Sequence, residues 1–139
     1  MMMSTTNKLI YAFLQRLGIV GPEGDLRENG RSQSRGFMDL VYERLEGTDG
    51  YLGRGGAVIS LAHYFKQNGD LCQDPEMVIL VHPNSQVAEA FSYQQAIPPI
   101  YQEVYSGSGR LNAQAKIDLD SFLVTWLKNL VDQGHGFQT

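Results

Sequence analysis

The chain has 139 residues, 42% of them hydrophobic and 19% charged, which fits one soluble globular domain with its own core and excludes a disordered or membrane-embedded polypeptide. A formal net charge of -4 argues against a broadly basic nucleic-acid surface, yet is too mild for an acidic mimic of DNA. Cys72 is the only cysteine, so no intramolecular disulfide can form, and the N-terminal apolar run falls short of the ~20 residues a membrane span needs; a cytoplasmic protein is expected.

In chain order, Leu9, Ile10, Phe13, Leu14 and Leu17 recur at helical steps, predicting a helix over 5–18 with Ser4, Thr5 or Thr6 as cap and Gly18 as stop. Residues 19–35 are rich in Gly, Ser and Asn and present no apolar stripe; they read as a flexible loop carrying Arg27, Arg31 and Arg35. GFMDLVYERLEG fits a helix through Phe37, Leu40, Val41 and Leu45, or a strand through Met38, Leu40 and Tyr42; strand is the expectation. TDGYLGRGG supplies a turn, and its GRGG is neither a P-loop nor a dinucleotide fingerprint, because a strand-like run follows it. AVISLAHYF, EMVILVH and QVAEAFSYQQ then read as strands joined by QNGD and HPNS turns, with PPIYQEVYS adding a further one. Asn112 caps a last helix over 113–133, whose apolar stripe includes Leu119, Leu123, Trp126, Leu127 and Leu130. The expected fold is α+β: an antiparallel meander of four to five strands over 36–106, flanked by an N-terminal and a C-terminal helix on one face, in a single domain.

Asn68-Gly69 is a strong signal for a two-residue hairpin turn, since both central positions need positive φ. Continued unchanged, that register would set Leu61 against Glu76, whereas apolar Met77, Ile79 and Val81 belong with Leu61, Ile59 and Ala57. A bulge within residues 70–75 is required, and Pro75, which has no amide to donate, is the natural place. The parity then sends His63 toward the helix layer, near Trp126, and places Tyr64, Asp74 and Glu76 together on the opposite face.

Asp70, Asp74 and Glu76, with His63 as ligand or base, are the residues a metal-dependent hydrolase or nuclease would use. Zinc chemistry wants three or four converging ligands, however, and two-carboxylate chemistry wants groups facing across a cleft; this parity separates the histidine from the acids. No metal, cofactor or catalytic group is therefore assigned, and His63, Gly69, Pro75 and Trp126 are read as structural. Tyr93, Tyr101 and Tyr105, with Gln94, Gln95, Gln102 and Glu103 beside them, form a candidate recognition surface. Arg27, Arg31 and Arg35 make nucleic-acid binding an alternative.

FMDLVYERL, SLAHYFKQNGDLCQDPEM, SYQQAIPPIYQEVY and LDSFLVTWLKNL together resemble a family of uncharacterised domains encoded by bacterial plasmids, integrative elements and phages. The similarity runs over roughly 36–133 and centres on an HYxxQNGD…DPEM pattern, matched here by His63, Tyr64, Gln67, Asn68, Gly69, Asp70, Asp74, Pro75, Glu76 and Met77. The resemblance implies a mobile-element accessory protein and carries no reaction with it. The expected function is a non-enzymatic module that binds a host or element-encoded protein through Tyr64, Asn68, Asp70, Asp74, Glu76, Tyr93, Tyr101 and Glu103.

Overall fold

The computed structural model describes residues 4–45, 56–107 and 109–137. Helix α1 (Thr5–Arg16) is followed by strands β1 (Asn29–Ser32), β2 (Leu40–Arg44), β3 (Ala57–Gln67), β4 (Asp70–His82), β5 (Val87–Gln95) and β6 (Ile100–Glu103), then by helix α2 (Ala113–Asp132). The strands form one antiparallel sheet in sequence order, β1 to β6, and the two helices pack on each other and on β5. Most of the expected TDGYLGRGG turn lies outside the described residues.

The sheet has six strands rather than four to five, and the extra one falls within the segment expected to be a flexible loop. Residues 19–35 are anchored: Ile19 and Val20 are buried, Val20 bridges Leu26, and β1 pairs with β2 from Asn29↔Glu43 to Ser32↔Leu40. Four residues of Asn-Gly-Arg-Ser with a single buried side chain leave no periodic apolar signal, so only tertiary contact reveals this strand. The segment 36–46 contributes β2, with Leu40 and Tyr42 fully buried and Met38 exposed.

The hairpin keeps its two-residue turn and acquires the bulge as well. Asn68 and Gly69 both have positive φ, at 52° and 86°, and Gln67 pairs with Asp70. Pairing runs unchanged to Tyr64↔Gln73 and resumes at Ala62↔Glu76, so His63 alone stands opposite Asp74 and Pro75. The slip restores Leu61↔Met77 and Ile59↔Ile79, whose side chains are completely buried. A second register shift, between Val78 and Ile79 on β4, leaves Phe91 of β5 as the extra residue.

Both helices begin on side-chain caps. Ser4 Oγ accepts from the Asn7 amide at 3.4 Å while Asn7 Oδ1 accepts from the Ser4 amide at 3.1 Å, and Asn112 Oδ1 accepts from the Ala115 amide at 3.0 Å. Past α2 the chain turns at Gly134 (φ 91°), and its tail returns to the other helix: the Phe137 amide donates to Leu17 O at 2.7 Å, and the Phe137 ring tilts against Tyr42 at 5.8 Å. The approach is close enough that a Cβ at Gly18, itself at φ +82°, would sit 2.0 Å from Phe137 O.

Asp120, in the middle of α2 and only 5% exposed, joins three elements. Its Oδ1 accepts from the Ala90 amide of β5 at 2.8 Å; its Oδ2 accepts from Asn7 Nδ2 of α1 at 3.0 Å and from Lys116 Nζ at 2.8 Å. Replacing it would leave the buried Ala90 amide without its acceptor and take one acceptor each from the Asn7 carboxamide and the largely buried Lys116 ammonium. Asp120→Ala should therefore destabilise the protein by about 3 kcal/mol, read from the midpoint of urea unfolding at constant slope.

Candidate functional site

His63 lies in the helix-facing layer. It is 8% exposed, meets Trp126 edge-on at 5.7 Å between ring centroids, and donates from Nδ1 to the Asp39 carbonyl at 2.8 Å. His135, from the C-terminal tail, stands 6.0 Å away, its Nδ1 2.9 Å from Ser32 Oγ, which also accepts the Gly136 amide. His135 Nε2 is buried without a hydrogen bond of good geometry. Burial first, and then the neighbouring His63, push the pKa of His135 below the ordinary histidine value.

Two measurements follow from this cluster. His63→Ala, which strands the Asp39 carbonyl, should cost roughly 1–3 kcal/mol of folding stability. Because folding depresses the pKa of His135, the unfolded chain takes up its proton first. The stability linked to His135 is thus complete above an unfolded pKa near ~6.5 and declines as pH falls below it. Urea unfolding at pH 7.5 and pH 5.5 should differ more for the wild type than for His135→Gln.

The acids of the hairpin do not converge. Asp70 is at the turn, Asp74 at the bulge and Glu76 beyond it, strung along β4. The expected sharing of one face by Tyr64, Asp74 and Glu76 holds only for Tyr64 and Glu76. The Tyr64 hydroxyl is raised by burial and then by the charges of Glu76 and Glu43, whereas Tyr93 is raised by burial and then by Asp74. The Tyr93 ring packs edge-on against Phe122 of α2 at 5.3 Å, so this tyrosine belongs to the helix side. The bulge explains the split, because an extra residue reverses the parity of what precedes it. Among the described residues, no three of His, Cys, Asp or Glu group as metal ligands do. Asn68 and Gly69 shape the turn, at the tip of which Leu71 is 66% exposed.

The three arginines are not a cluster either. Arg31 is paired with Asp39 at 2.9 Å, Arg27 has a buried Nη1 and offers its carbonyl to the Tyr42 hydroxyl at 2.6 Å, and Arg35 is exposed. Burial drives the Tyr42 hydroxyl up to about 12.

The face of the sheet turned away from the helices brings the remaining candidates together. A concavity of about 350 Å³ is floored by Val58, Val78, Leu80 and Phe91 and rimmed by Glu76, Gln94 and Tyr101. The register sets Glu76 beside Gln94, and Gln94 beside Tyr101, on three adjacent strands. Ser60 donates to Glu76 at 3.0 Å and the Tyr101 hydroxyl to Glu103 at 3.0 Å, which fixes both carboxylates at the surface. Tyr101 is 56% exposed. A volume of this order suits a few side chains or a small organic group.

At one end of this face lies a polar group that the sequence reading does not assemble, and Tyr105, expected with Tyr93 and Tyr101 at a recognition surface, is buried in it instead. Glu89 is fully buried and accepts from His82 Nε2 at 2.9 Å and from the Tyr105 hydroxyl at 2.6 Å, with Lys116 Nζ 4.0 Å away. Burial pushes the Glu89 carboxyl up, but the hydrogen bonds from His82 and Tyr105 and the Lys116 charge outweigh it, and the pKa is lowered. Lys116 thereby serves Glu89 and Asp120 at once. The clue in the sequence is Glu89 itself, a charge set among the apolar residues of VAEAF.

Searches against curated proteins and against solved structures returned no match. No helix among the described residues is long and apolar enough to cross a membrane. A family model described as Domain of unknown function (DUF6908) matches residues 8–136, nearly the whole chain and well beyond the stretch that carried the sequence resemblance; the chain belongs to that family.

Proposed function

We propose that this chain is a non-enzymatic protein-binding module, an accessory protein of a mobile element that engages a host or element-encoded protein in the cytoplasm. The observation that carries the reading is the grouping of Glu76, Gln94 and Tyr101 around an apolar floor on three adjacent strands. Exposed aromatic and polar side chains over apolar surface are the usual chemistry of a recognition patch. The hydrolase alternative draws no comparable support, since Asp70, Asp74 and Glu76 are spread along one strand with Asp74 on Tyr93 rather than Tyr64. Nucleic-acid binding through Arg27, Arg31 and Arg35 draws none either, with Arg31 held by Asp39.

Affinity capture from the host's lysate with paired variants tests this reading. Wild type and a control on the far side, Ile117→Ala on α2, should recover the same protein; Tyr101→Ala combined with Gln94→Ala should recover at least about tenfold less, the loss expected on removing a central contact. Equal recovery by all three, or metal-dependent turnover of nucleic acid that Asp74→Ala abolishes, would replace it.

A further inference from the structure

The tail after α2 and strand β1 hold each other. Ser32 is the one buried side chain of β1, and its hydroxyl meets the tail twice, accepting from the Gly136 amide and bonding His135 Nδ1, both at 2.9 Å. Phe137 lies against Gly30 of the same strand, where a Cβ would stand 2.9 Å from its ring, and Ser34, just past β1, donates to the Gln133 carbonyl. Since Asn-Gly-Arg-Ser brings no apolar side chain to the core, these contacts and the pairing with β2 are what fix β1 in place.

The neutral His135 ring fits this seat and the cation does not. Ser32 Oγ accepts from Gly136, so its own proton goes to His135 Nδ1, and the ring proton sits on Nε2, toward the Met38 carbonyl. Protonation would turn Nδ1 into a donor and take the acceptor from the Ser32 hydroxyl, at a residue only 6% exposed. His63 of β3 faces the ring at 6.0 Å, with its Nδ1 fixed on the Asp39 carbonyl. The Asp39 carboxylate, ahead of β2, favours the cation but is paired with Arg31 of β1 at 2.9 Å. From α2 the Leu130 carbonyl accepts the His135 amide, while Lys128 and Asp132 are exposed and paired with each other. Burial and His63 together outweigh Asp39 and the Met38 carbonyl.

We infer that the tail, residues 134–137, and β1 form a latch that opens as one unit when His135 takes up a proton, while β2 to β6 and both helices stay folded. In the open latch the ring stands in water and binds a proton with its ordinary affinity. Opening uncovers the Tyr42 ring, against which Phe137 packs at 5.8 Å, and the outer edge of β2, whose backbone groups β1 no longer pairs. Acidity is thereby coupled to the exposure of an apolar ring beside a strand edge that can take up an extended segment.

Amide hydrogen exchange of the full chain, expressed as protection relative to an unstructured chain at the same pH, tests the latch. The Gly136 and Phe137 amides, which donate to Ser32 Oγ and the Leu17 carbonyl, report on the tail, and the amides between β1 and β2 report on the strand. From pH 7.5 to pH 5.5 the protection of both sets should fall about three- to tenfold, tenfold being the ceiling for one proton taken up by a group that titrates near ~6.5 when open. At both pH values it should be at least about a hundredfold lower than in the ladder between β3 and β4 and indifferent to low urea, the marks of a local opening. In His135→Gln the ratio between the two pH values should lie within about twofold of one, a comparison made inside one variant and so independent of how firmly that variant holds the tail. Four results would overturn the inference. Wild-type protection equal at the two pH values leaves no proton coupling, and a ratio that persists in His135→Gln assigns the proton to another group. A tail that follows the urea dependence of the β3–β4 ladder leaves only on global unfolding, and a tail that loses protection while β1 keeps its own opens without the strand.

Discussion

The structure turns on one buried carboxylate. β6 pairs with β5 only from Ser92 to Gln95, so the stretch of β5 before Phe91 has β4 on one edge and no strand on the other, and the Ala90 amide, which turns to that open edge, would be left without an acceptor. Asp120 fills that gap from α2 and, with its other oxygen, holds Asn7 of α1. Asn7 spends its own groups three ways: its carbonyl oxygen completes the cap at Ser4, and its amide nitrogen reaches both Asp120 and the Ala88 carbonyl at 2.9 Å. One acid thereby sets the position of both helices against the sheet, a task that hydrophobic burial, being non-directional, performs only loosely.

The same network explains how charge is tolerated inside. Lys116 is the cation that Asp120 and Glu89 share, and it spans the sheet edge to do so, with Asp120 on the helix side and Glu89 toward the other face. Burying Glu89 alone would cost several kcal/mol; two hydrogen bonds and a nearby ammonium offset it.

Much of the architecture was legible in local signals. Helical spacing gave both helices, Asn112 and Ser4 were readable as caps, and the conflict between an Asn-Gly turn and the apolar parity of β4 was enough to require a bulge near Pro75. What escaped was non-local. β1 exists because Leu40 and Tyr42 offer it a partner, and because Ser32 is met by His135 from the far end of the chain. The face of Asp74 was misassigned because parity was carried straight through a bulge that reverses it, and Tyr93, grouped with Tyr101 by residue type, lies on the helix side instead. Of the candidate site, Tyr64, Glu76, Tyr101 and Glu103 do share the second face, while Gln94 was noted only as a neighbour. Glu89, His82 and Tyr105 meet through register and side-chain reach, which composition does not encode.

The strand order has a kinetic meaning. Because β1 to β6 neighbour one another in the order they occur, each sheet pairing closes a short loop or one of moderate length, and loop-closure entropy grows only slowly with such lengths. The contacts between the chain's ends are of another kind: Asn7 meets Asp120 across 113 residues of sequence, and Ser32 meets His135 across 103. A chain of this topology gains its sheet from contacts that are near in sequence, and the entropic barrier concentrates in bringing α1 and the tail together over a meander that can assemble hairpin by hairpin.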